Sequence, residues 1–95
     1  MNLKVQIIEE TLRDKLQPLL LRVEDDSAKH RGHAGAMQGG GHYVVTVVAE
    51  VFTGRGLVEQ HRMVNEALKE LFGRDIHALA LNTYSPDQWK SSGRS

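Results

Sequence analysis

The chain has no cysteine among its 95 residues. That excludes disulfides, thiolate nucleophiles and any self-sufficient thiolate metal site. It also has no charge surplus: 12 Lys and Arg balance 12 Asp and Glu. Affinity for phosphate backbones comes from basic excess, so no sequence-wide signature of a dedicated nucleic-acid binder is present, although a local patch is still allowed. No apolar run approaches the roughly 20 residues needed to cross a bilayer, so no membrane association is expected. Charges interrupt every apolar run of the opening "MNLKVQIIEETLRDKL", which does not read as a secretory signal. A cytoplasmic location is the expectation. There are only two prolines and five aromatic residues, and no internal repeat.

What remains is enough for one domain spanning 1–95, with 40% hydrophobic residues to fill a single core between two layers. Residues 3–16 read as an amphipathic helix, with Val5, Ile8, Leu12 and Leu16 on one side. Pro18 ends it by disfavouring helical geometry at Gln17. Residues 19–25 alternate as a short strand, with Leu19, Leu21 and Val23 facing one way. A β-branched run over 43–51 predicts a longer, central strand, and "FTGRG" turns the chain. A second helix is expected over 57–72, with Leu57, Val64, Leu68, Leu71 and Phe72 towards the core and Gly73 just past its end. Residues 76–83 form a third strand, on which plain alternation sets His77 on the side of Leu79 and Leu81. "SPDQW" opens a short helix: Ser85 caps it, Pro86 fits the first turn and Gln88 completes a capping box. Trp89 should cover an apolar edge, and residues 91–95 form a frayed tail.

The order α-β-β-α-β-α predicts an α+β fold with a three-stranded mixed sheet and helices packed on one face. The first two strands pair antiparallel, and the third, reached through a crossover helix, runs parallel to the second. Between the first two strands lies "HRGHAGAMQGGGH", which holds three of the five histidines and five of the nine glycines. A mobile loop over 27–41 is expected there.

Three segments in order, "VEDDSAKHRGHAG", "HYVVTVVAEVFTGRGLVEQHRMVNEAL" and "IHALALNTYSPDQW", resemble the BolA family. Gln60-His61-Arg62 stands where the family pattern has Arg-His-Arg. The similarity covers residues 3–90. The resemblance implies a class II KH-like topology, in agreement with the element order. It also implies work beside a monothiol glutaredoxin in iron–sulfur cluster assembly, trafficking or iron homeostasis. Family members are further described as transcriptional regulators and stress-response morphology factors.

By this resemblance His77, in the "IHAL" segment, matches the family's cluster ligand. A second ligand falls in the glycine-rich loop, where His33 is the best match and His30 the runner-up. His42 and His61 are expected to flank the sheet and to shape the helix surface. Two imidazoles cannot complete a structural zinc site, which takes four protein ligands. They can occupy one iron of a [2Fe–2S] cluster whose other iron is held by thiolates. This chain has no thiolate, so the resemblance implies a cluster shared with a monothiol glutaredoxin and glutathione, and none held tightly alone.

No nucleophile–base–acid constellation suggests an enzyme. DNA binding is the competing reading. The GxxG of Gly32-His33-Ala34-Gly35 lies between strands, whereas KH domains place theirs between helices. Arg55, Arg62, Lys69 and Arg74 could form a basic strip, but Glu59, Glu66, Glu70 and Asp75 interleave with it.

Overall fold

The computed structural model describes residues 3–26 and 41–93. The first helix, α1 (Leu3–Leu16), buries Ile8, Leu12 and Leu16, a four-residue spacing that keeps them on one stripe. It stops at Gln17, whose φ of 49° is left-handed. Pro18 follows and has no N–H with which to continue the helix. β1 (Leu20–Asp25) then pairs antiparallel with β2 (Gly41–Val48), from Leu20 opposite Val48 to Asp25 opposite Tyr43. Leu19 sits exposed at the bend before β1 and does not join Leu21 and Val23 against the core, contrary to its place in the alternation.

β2 runs from 41 to 48, not 43 to 51. Its start is fixed by the Gly41 N–H, which donates to the Asp75 carbonyl at 3.0 Å. Past Val48 a one-turn 3-10 segment (Glu50–Phe52) swings Phe52 fully into the core. β2 is central, with sheet order β1-β2-β3, and β3 (Ile76–Tyr84) lies parallel to it. Tyr43, Val45 and Val47 point inward; His42, Val44 and Thr46 occupy the other face and are half-buried.

α2 (Leu57–Ala67) is followed by a second 3-10 turn, Lys69–Leu71. Gln60, Val64 and Leu68 are its buried stripe. Two expected core residues fall outside it. Leu57 is the first helical residue and is 60% exposed. Phe72 is 37% exposed because the α-helix has already ended at Ala67 and the chain is extended by residue 72. Gly73 adopts φ 84°, the left-handed conformation that a residue with a Cβ resists, and its N–H closes the turn onto the Ile76 carbonyl at 2.9 Å. α1 packs against β1 and α2, and α2 also packs against β3, so both helices enclose one core over the inner face.

α3 (Pro86–Ser91) begins with the capping box expected from "SPDQ". The Ser85 hydroxyl accepts from the Gln88 backbone N–H at 3.2 Å and the Gln88 side-chain oxygen Oε1 accepts from the Ser85 N–H at 2.8 Å. Half-buried Trp89 stands edge-on to Tyr84 with ring centroids 5.1 Å apart. A fully buried amide ties this end together. Gln60 donates to the Arg55 carbonyl (2.9 Å), the Gln88 side chain (3.1 Å) and, at longer range, the Phe52 carbonyl (3.4 Å). It accepts from the Thr83 hydroxyl at 2.8 Å.

Candidate functional site

The opposite end of the sheet carries the histidines. Ile76 pairs with Gly41, yet the next pair is Ala78 with His42, so β3 has one residue too many at this point. The extra residue is His77. Ile76 is buried, and Leu79, Leu81 and Thr83 also face the core. Ile76 and Leu79 are three apart and cannot share a face in a regular strand. The bulge resolves this conflict and re-aims what lies between. His77 is therefore exposed, turned away from the side of Leu79 and Leu81 on which simple alternation had put it.

There it meets His42, the second residue of β2. The two imidazole centroids are 5.1 Å apart, with the ring planes tilted by 50°. The backbone beneath is pinned on both flanks. The Asp26 N–H donates to the His42 carbonyl at 2.7 Å, and Gly41 is tied to Asp75. Gly41 also has a packing role. A Cβ there would lie 2.5 Å from the Tyr43 phenol oxygen and 2.6 Å from its ring, so only glycine lets this side chain fold back over the strand start. Burial first, then the nearby Asp25 and Asp75 carboxylates, raise the Tyr43 pKa above the ordinary tyrosine value.

The residues singled out from sequence distribute as follows. His77 is present and accessible. His33 and His30, and the Gly32–Gly35 motif, lie outside the described residues. His42 was expected only to flank the sheet, and the fold brings it to His77. A glycine-rich approach disguised it as loop, and the signal that could have found the pair was the three-residue spacing of Ile76 and Leu79. His61 is half-buried on α2, away from this pair because α2 covers the inner face; its Nε2 is buried with no hydrogen-bond partner among the described residues. No group of three His, Cys, Asp or Glu gathers to hold a metal among the described residues.

The basic strip is largely engaged with carboxylates. Arg55 bonds Glu59, Lys69 bonds Glu66 at 3.0 Å and Arg74 bonds Asp75 at 3.0 Å. The Glu66 contact, by hydrogen bond and charge, raises the Lys69 pKa. These surface pairs are weak and can open towards a stronger anion.

Residues 12–88 match the family model described as BolA-like protein. The chain belongs to the BolA family. It is 40% identical over 83 residues to the DNA-binding transcriptional regulator BolA of Escherichia coli, covering 87% of this chain and 76% of that protein. It is 42% identical over 84 residues to protein BOLA2 of Arabidopsis thaliana, covering 87% and 80%. Among solved structures, the BolA domain of SufE1 from Arabidopsis thaliana superposes with a TM-score of 0.79 at 31% identity, covering 92% of this chain and 96% of that one. The three-stranded mixed sheet with its α-β-β-α-β-α order is thus the BolA fold, and the bulged strand end with its two imidazoles is part of this BolA chain's framework. No helix among the described residues is long and apolar enough to cross a membrane.

Proposed function

We propose that this BolA-like chain works in the cytoplasm beside a monothiol glutaredoxin, supplying imidazole ligands to a [2Fe–2S] cluster shared with that partner and glutathione. One observation carries the reading: the bulge at β3 presents His77 to solvent from a rigid strand. A histidine that served only the core would face inward with Leu79. The cluster is cargo, held jointly. This chain contributes neutral nitrogen donors, and its lack of cysteine leaves the thiolates to the partner and to glutathione.

The second ligand in this reading is His33, with His30 as the alternative. Both belong to the segment joining Asp26 to Gly41, whose two ends sit beside the His42 backbone. His30 is four residues from Asp26 and His33 seven; at ~3.5 Å per extended residue, either tether is long enough to reach His77.

The test is to mix the chain with a monothiol glutaredoxin, glutathione, iron and sulfide and record the visible spectrum. His77→Ala should lose the mixed-ligand cluster spectrum while keeping a cooperative thermal melt. An unchanged spectrum in that variant would refute the assignment.

The names of relatives favour a second reading, since the Escherichia coli protein is a DNA-binding transcriptional regulator. In this reading Arg55, Lys69 and Arg74 exchange their carboxylate partners for phosphates, and Arg62 contacts phosphate beside them. A gel-shift titration over salt tests it: a phosphate-binding face gives a steep salt slope, and Arg62→Ala makes it shallower.

A further inference from the structure

We infer that β1 is a self-recognition edge: two copies of this chain pair through it, antiparallel, about a twofold axis at Val23.

β1 borders the sheet, with β2 on one side and no strand on the other among the described residues. The bonds to β2 fix which backbone groups face that border. The Asp26 N–H donates to the His42 carbonyl, in step with the register of the two strands. Backbone direction alternates along a strand. Glu24, Arg22 and Leu20 therefore turn their N–H and C=O groups towards β2, and Leu21 and Val23 turn theirs to the open edge. An open edge is a template for another strand, and side chains decide which strand it accepts.

The side chains of β1 complement themselves. Pairing about Val23 sets this residue against Val23 of the second copy as a hydrogen-bonded pair, as the backbone directions require. On either side of the axis Arg22 then faces Glu24 of the second copy. Both residues are exposed on the outer face, and neither joins an ion pair among the described residues. The neighbouring registers lack this match. Centring on Asp25 opposes Asp25 to itself and Glu24 to Asp26. Centring on Leu21 leaves Arg22 opposite Leu20 and Glu24 opposite Pro18, beyond the strand end.

The helix above repeats the complementarity. Thr11 and Lys15 face α2 and the turn after it. At 100° per residue, Glu9 and Arg13 lie about 160° round α1 from them, on the flank above the open edge of β1. The same axis brings Glu9 of one copy to Arg13 of the other. The levels agree: from Leu16 back to residue 11 is about 7.5 Å of helix, and from Leu20 to Val23 is about 10 Å of strand. Val23 and Leu21, packed against the core but only partly buried, gain cover at the joint. One short strand and one helix flank bury less than the about 1,200–2,000 Å2 of a standard stable interface, so the dimer is concentration-dependent. Its two β3 tips lie at opposite ends of a six-stranded sheet, where both stay accessible.

Sedimentation velocity on the whole chain, from about 1 μM to about 1 mM at low salt, tests the inference. Reversible monomer–dimer exchange is expected, weakening as salt is added. Arg22→Glu and Glu24→Arg, each alone, set like charges against each other on both sides of the axis and should raise the dissociation constant roughly tenfold or more. An equal mixture of these two variants should form heterodimers, because the acidic edge of one then faces the basic edge of the other. The Arg22→Glu/Glu24→Arg double variant, which exchanges the charges, should recover self-association. Circular dichroism confirms the fold of each variant. A chain that stays monomeric throughout, a dimer indifferent to the single reversals, or single variants that fail to associate when mixed would overturn the β1 edge as the interface.

Discussion

Replacing Gln60 by leucine keeps the volume of a fully buried side chain but removes an amide that serves four neighbours. Not all four suffer equally. The Phe52 carbonyl still accepts the Arg55 N–H at 3.0 Å. The Thr83 hydroxyl, 5% exposed, loses its acceptor outright, which costs about 1–3 kcal/mol. The part-buried bonds to Arg55 and Gln88 are worth about 0.5–1.5 kcal/mol each. Leucine gains about 1–2 kcal/mol of apolar burial in return. The expected net loss is about 2–3 kcal/mol, or roughly 8–24 °C in Tm for a domain of this size. Urea unfolding should show a lower midpoint at unchanged m-value. A Thr83→Val partner variant completes the test. Because the double variant no longer buries an orphaned hydroxyl or an orphaned amide oxygen, its loss should fall short of the sum of the singles by about 1 kcal/mol or more. A loss under about 1 kcal/mol for Gln60→Leu, or strictly additive singles, would refute the account.

Gly41→Ala should destabilise the domain by about 1–3 kcal/mol, because the new methyl group overlaps the Tyr43 ring; displaced Tyr43 ring resonances and a lowered melt would report it. The raised Tyr43 pKa favours the neutral phenol in the folded state, so its contribution is complete below the ordinary value of 10.0 and is lost as pH rises through the higher folded value. Thermal melts between pH 8 and 11 should therefore fall at the alkaline end, and Tyr43→Phe should remove that component of the fall. Ser85→Ala deletes the acceptor for the Gln88 N–H and should cost about 1 kcal/mol, with Trp89 fluorescence shifting as α3 frays.

Where local chemistry decides structure, the sequence was readable. Ile8, Leu12 and Leu16 announce α1 by spacing alone, and "SPDQ" specifies the cap of α3 down to its two reciprocal hydrogen bonds. Where long-range contacts decide, it was not. Gly41 and His42 look like the end of a glycine-rich loop, yet contacts to Asp75, Ile76 and Asp26, all distant in sequence, make them strand. Leu57 and Phe72 fit a helical stripe drawn over 57–72, but the α-helix stops at Ala67 and the stripe loses its meaning there. His77 was recognisable by its family segment, and its direction was not, because a bulge belongs to a pair of strands and not to one. Gln60, standing where the family pattern has arginine, gave no hint in sequence that its amide would become the hub of the opposite end.

The bulge has a consequence for how this chain can change over generations. Downstream of it, Leu79, Leu81 and Thr83 keep their places against β2 whatever occupies position 77. The extra residue works like slack in a coupling, so that a substitution at the exposed end transmits no strain to the packed end. Chemistry at the strand tip and solvency of the core are thereby placed under separate selection. A lineage could exchange His77 or His42 for other donors, or lose them, without first acquiring a compensating change in the interior.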